Sequence, residues 1–152
     1  MMKAGDEAES LMLQEFNCAQ SVLASCGPAL GLDRDTCLRL AAPFGGGLAR
    51  SGETCGALTG ALMALGLACG VPSPLAEDKD RGYGPARELV DRFRQLHGTL
   101  LCRDLLGIDM STPEGLQAFR DRGLHHSQCP RFVRSAAELV QEILARRAGT
   151  GG

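Results

Sequence analysis

The chain has 152 residues, enough for one domain to bury a continuous core without covalent staples, so a shortage of core does not explain its seven cysteines. With Lys+Arg 16 against Asp+Glu 18, the formal net charge of -2 offers no electrostatic footprint for nucleic acid or an anionic membrane. The opening MMKAGDEAESLMLQEF puts acidic residues where a secretory leader needs a basic region and an apolar run, which points to a cytoplasmic chain whose thiols serve metal binding or redox chemistry before structural disulfides.

The first segment, about 4–25, carries Ala8, Leu11, Met12, Phe16, Ala19, Val22 and Leu23 at helical spacing and stops at Gly27 and Pro28. Cys18 lies on the Leu11 and Val22 edge of that stripe, facing the interior or its border. A second helix runs from Asp33, an N-cap residue, to Ala41 or Ala42 before Pro43. In PFGGGLARSGE, Gly45, Gly46 and Gly47 free the backbone for left-handed conformations or close approach to something bulky.

Ser51 can cap the next helix, placing Cys55 in its first turn, where the positive end of the helix dipole favours thiolate. The uncharged run from Gly56 to Val71 is too short for a membrane span of about 20 residues and reads as a buried central helix. Gly56, Gly60 and Ala64 recur every fourth position, a face that serves close internal packing or a homodimer equally well. After VPSP and the charged stretch AEDKDRGYGP, an amphipathic helix carries Ala86, Leu89, Val90, Phe93, Leu96, His97, Leu100, Leu101 and Leu105, with Cys102 on its flank and Gly107 as its stop.

A short helix follows Ser111 or Thr112, with Pro113 at its first position. Pro130 opens the last helix, making Cys129 its cap or first-turn neighbour, and Phe132, Val133, Ala136, Val140, Ile143 and Leu144 form its buried face. The whole is expected to be all-α: one bundle-like domain of five or six helices over 1–147, with a frayed tail at 148–152.

Spacing alone announces no metal site, because paired CxxC motifs and CxxCH are missing. Four cysteines on four elements can still converge, against the plain alternative that each is a small buried hydrophobe. His125 and His126, close to Cys129, are either zinc ligands or part of a polar loop, and His97 reads as a core or boundary histidine. The glycine run lacks the context of a nucleotide loop, and no Ser/His/Asp or paired-carboxylate set stands out.

In order, FNCAQSVL, FGGGLARSGETCGALTGALMALGL, CRDLLGID and CPRFV resemble the family of redox-active proteins named for the pattern C, GCAxxG, C and C, over about 16–144. The family cysteines fall on Cys18, Cys55, Cys102 and Cys129; Thr54 departs from the motif's first glycine, outside the thiol itself. Cys26, Cys37 and Cys69 lie outside the pattern and read as packing residues. The family is similar to a domain of split-Soret-type cytochromes, which implies a [2Fe-2S]-type iron-sulfur cluster on the four thiolates and electron exchange with a partner protein. In that setting Gly45, Gly46 and Gly47 are implied to donate backbone N-H groups to sulfur. Two alternatives use the same residues: a thiol-disulfide protein in which Cys55 attacks first, and a zinc-stapled structural domain.

Overall fold

Apolar spacing would carry one helix from residue 4 to 25, but Asn17 divides it. Its side chain accepts the Gln20 N-H at 2.9 Å while Gln20 Oε1 accepts the Asn17 N-H at 3.0 Å, a reciprocal capping box that starts a new helix. The computed structural model, which describes residues 3–149, therefore has α1 at Ala4–Leu13 and α2 at Cys18–Cys26. Asp33 caps α3, Arg34–Ala41, by accepting the Thr36 N-H, as its sequence position implies. Single turns of 3-10 helix at Pro28–Leu30 and Ala42–Phe44 flank α3.

The uncharged helix is α4, Gly56–Cys69; its N-cap is Cys55, four residues beyond Ser51, so Cys55 precedes the first turn instead of lying within it. The charged stretch that leads into the amphipathic helix is itself helical: α5 spans Ala76–His97, with Glu77 and Asp78 in the first turn and Pro85 inside. It ends at Gly98, whose φ of 84° closes the helix in the left-handed region, so Cys102 opens a separate short helix, α6, at Cys102–Leu106. Thr112 and Pro113 open α7, Pro113–Asp121. The histidine loop is a turn of helix, α8, Leu124–Ser127, and α9 runs Cys129–Gly149. The described part is all-α, with more helical segments than the five or six expected; residues 148 and 149 belong to α9 and the rest of the expected tail lies outside the described residues.

Packing centres on α2, which contacts α1, α3, α4 and α9. Met12, Leu23, Leu58, Leu65, Phe93 and Phe132 are the largest fully buried side chains. The small-residue face of α4 is taken up by α2 of the same chain: a Cβ at Gly60 would lie 2.7 Å from the Ala19 carbonyl oxygen. Gly60→Ala is thus expected to destabilise by about 1–3 kcal/mol through overpacking. Gly66, in the same helix with nothing within 4 Å of an added Cβ, should give the opposite sign, with Gly66→Ala stabilising by about 0.5–1 kcal/mol. Chemical denaturation of the two variants checks both. Among the described residues no helix is long and apolar enough to cross a membrane.

Where α5 meets α9, His97 lies between Phe93 and Phe132, with ring centroids 4.6 and 5.0 Å away, and its Nε2 is 2.6 Å from Ser135 Oγ. Burial, and then the nearby Arg131 charge, hold its pKa below the ordinary 6.5. The fold thus favours the neutral ring, a contribution present above pH 6.5 and lost as pH falls through the depressed folded value. The thermal midpoint is expected to drop on going from pH 7 towards pH 5, and His97→Gln to flatten that drop.

Candidate functional site

Each of the four pattern cysteines sits at a helix start. Cys18 is the first residue of α2, Cys55 the N-cap of α4, Cys102 the first residue of α6 and Cys129 the first residue of α9. All four line one cavity of about 450 Å³, together with Gly45, Gly46 and Gly47. Convergence of helix N-termini turns positive dipole ends and unpaired N-H groups toward whatever occupies the space, which suits an anionic group.

Local hydrogen bonds explain how distant thiols meet. Thr54 and Leu101 form an antiparallel bridge, extended by Cys55 N-H to the Leu100 carbonyl at 2.8 Å and Cys102 N-H to the Glu53 carbonyl at 2.7 Å. Side-chain alternation puts Cys55 and Cys102 on the face of that bridge opposite Thr54 and Leu101, as diagonal neighbours about 7–8 Å apart. Arg103 fastens the same junction by donating to Glu53 Oε1 at 3.0 Å. On the other side, Asn17 Nδ2 donates to the Ala42 carbonyl at 2.9 Å and Gln20 Nε2 to the Leu38 carbonyl at 3.0 Å, anchoring the α2 start that carries Cys18.

The glycine loop closes over Cys102 in an uncommon shape. From Gly46 through Arg50 every φ is positive, at 65, 70, 67, 51 and 62°, so five successive residues of this turn lie in the left-handed region. Leu48, Ala49 and Arg50 carry side chains there, at a cost of roughly 1–2 kcal/mol each. Such strain persists only where the surroundings over-determine it. Here Ala49 N-H reaches the Pro43 carbonyl at 2.8 Å, Gly52 N-H the Gly46 carbonyl at 3.1 Å and Glu53 N-H the Gly47 carbonyl at 2.9 Å.

Burial opposes charge on the thiols. Cys55, 4 % exposed, is pushed up to about 12, chiefly by desolvation, which outweighs the N-H groups of Ala57 and Leu58 acting in the other direction. Burial thus works against the activation by the helix terminus expected from sequence, the interior's low dielectric being the larger effect on the thiol. Cys102 is likewise pushed up to about 12, by burial and then by Cys129. Cys18 and Cys129 act as a pair: hydrogen bonding between them holds Cys129 below the ordinary thiol value and drives Cys18 well above it, with burial adding to the rise.

The structure brings Cys18, Cys55, Cys102 and Cys129 together and leaves Cys26, Cys37 and Cys69 apart from the cavity lining; all seven are free thiols. Cys37 Sγ donates to the Leu32 carbonyl and Cys69 Sγ to the Leu65 carbonyl, while Cys26 and Cys37 are buried. His125 lines the cavity as well, and both it and His126 stand with Glu15 rather than completing a ligand set with Cys129. Sequence reasoning missed Glu15, Arg50, Arg120 and Met110, all of which line the cavity. It also missed Asn17 and Gln20, for which the N-x-x-Q spacing was an available signal.

The chain matches the family model C_GCAxxG_C_C, described as "Putative redox-active protein", over residues 16–143, and belongs to that family. No curated protein and no solved structure matches it.

Proposed function

We propose that this member of the C_GCAxxG_C_C family is an electron-transfer protein of the cytoplasm that holds an iron-sulfur cluster, of the [2Fe-2S] type, on Cys18, Cys55, Cys102 and Cys129. One observation carries the reading: four cysteines remote in sequence sit at four helix N-termini around a single cavity. Four thiolates are the ligand count such a cluster takes, and when bound it supplies one-electron exchange with a partner protein. The chain's own contribution is to keep water from Cys55, Cys102 and Cys129, 4, 7 and 5 % exposed, and to set Arg50 and Arg120 in the lining against negative charge. Backbone N-H groups beside sulfur raise a cluster's potential, a role suited to Gly45, Gly46 and Gly47 in the lining.

The spread of the thiols favours a polyatomic centre over one zinc ion. Zinc at about 2.3 Å from each sulfur needs the sulfurs about 3.8 Å apart. Among the described residues, the group of three or more candidate ligands within 4.8 Å of one another is Glu15, His125 and His126, not the cysteines. Thiol-disulfide chemistry keeps one observation on its side, the adjacency of Cys18 and Cys129.

Anaerobic purification followed by an absorbance spectrum and metal, sulfide and thiol analysis tests the three. Brown protein with about two iron and two sulfide per chain is expected. Colourless protein holding zinc would replace this reading with the structural one. A metal-free chain that loses two free thiols on mild oxidation, and regains them with reductant, would replace it with the disulfide one.

A further inference from the structure

A second set of ligand side chains stands at the rim of the same cavity. Helix α1 ends at Leu13, and Glu15 then adopts φ 75°, in the left-handed region, at a cost of roughly 1–2 kcal/mol. The Met12 carbonyl accepts two hydrogen bonds there: from Glu15 N-H at 3.0 Å and from His125 Nε2 at 2.8 Å. A carbonyl cannot donate, so His125 Nε2 bears a proton, and in the neutral ring Nδ1 is then the lone-pair nitrogen. Metal-bound histidines are held in this way, the distal N-H given to a backbone carbonyl that fixes tautomer and ring orientation.

Turn α8 places His126 next to His125, ring centroids 5.2 Å apart, and His126 Nε2 lies 2.6 Å from Glu15 Oε1. One ligand atom from each of Glu15, His125 and His126 lies within 4.8 Å of the others.

We propose that Glu15, His125 and His126 form a mononuclear site for a divalent transition-metal ion of the zinc class, separate from the cysteine centre. Two imidazoles and a carboxylate are the ligand types such ions take, whereas calcium and magnesium prefer oxygen alone. Ligands about 2.0–2.1 Å from a tetrahedral zinc ion stand about 3.3 Å apart, so the His126 to Glu15 hydrogen bond need open by less than an ångström to admit one. Three protein ligands leave a fourth position for water or a small substrate ligand, facing the cavity that Glu15 and His125 help to line. The site stands on these contacts alone and does not depend on what the cysteines hold.

The full chain, purified anaerobically and dialysed against EDTA, is titrated with zinc chloride while the histidine ring nitrogens are followed by NMR. His125 and His126 are expected to shift together and saturate at one equivalent, with Nδ1 the bound nitrogen of His125 and with His97 unmoved as internal reference. Glu15→Gln and His126→Ala should each weaken binding by about tenfold or more. Both side chains are largely exposed, at 70 and 52 %, so the variants are expected to fold. Zinc that leaves both rings unshifted, or binds the two variants as tightly as the parent, overturns the site. Cobalt in place of zinc separates the centres, because an intense thiolate charge-transfer band without ring shifts places the metal on cysteine and also overturns it. Iron content of the same preparations reports on the cysteine centre independently.

Discussion

Replacing any one of Cys18, Cys55, Cys102 and Cys129 by serine is expected to empty the proposed centre, taking anaerobically purified protein from about two iron per chain to near none and bleaching its visible absorbance. The four thiols line one cavity, so none is a spare for another, and a serine hydroxyl is a poor ligand for iron. The control is Cys69→Ser: Cys69 lies at the far end of α4 with its Sγ on the Leu65 carbonyl, away from the cavity lining. That variant should keep both iron and colour. Circular dichroism distinguishes loss of the centre from loss of the fold, and retention of the parent's iron by any two of the four serine variants would remove the four-thiolate reading.

Gly47→Ala should be the most damaging substitution in the glycine loop. An added Cβ would stand 2.7 Å from Cys102 Cβ and equally close to the Glu53 backbone nitrogen and oxygen, at a φ of 70° that side chains seldom adopt. Left-handed strain of roughly 1–2 kcal/mol and overpacking of roughly 1–3 kcal/mol together predict a loss of about 2–5 kcal/mol. For a chain of this size that corresponds to a fall of about 4–20 °C in the thermal midpoint. Because relief of the clash moves Cys102 or the strand segment holding it, iron content should fall with stability. Gly31 supplies the comparison, since its φ is 97° with nothing within 4 Å of an added Cβ. Gly31→Ala should cost only about 1–2 kcal/mol and leave the centre intact. Equal effects in the two variants, in stability and in iron, would show that contact with Cys102 does not matter.

The two cysteines whose helix starts carried clear signals were placed well from sequence. Cys129 precedes Pro130, which suits only a first turn, and Cys55 follows a glycine-rich loop that no helix would continue through. Cys18 and Cys102 were set inside longer helices because apolar spacing runs straight across both breaks. What interrupts it are a capping box at Asn17 and Gln20 and the left-handed Gly98, local hydrogen bonding that hydrophobic periodicity does not register. Pro85, the last residue of the charged stretch AEDKDRGYGP, sits within α5. Proline lacks one N-H, and the flanking turns and the packing of Leu89 and Phe93 outweigh that loss.

By itself the amino-acid sequence determined the helical class, the identity of the four pattern cysteines and the glycine-rich loop beside them, because periodicity, glycine content and motif order are local properties of the chain. Tertiary structure alone decided that four helix N-termini face one another, that the Thr54 to Leu101 bridge sets two thiols on one face, and that Glu15 meets His125 and His126 across more than a hundred residues. It also set burial against the thiolate expected at Cys55. A helix dipole can be read from a residue's place in its own element, but the desolvation that outweighs it comes from the surrounding elements that bury the thiol.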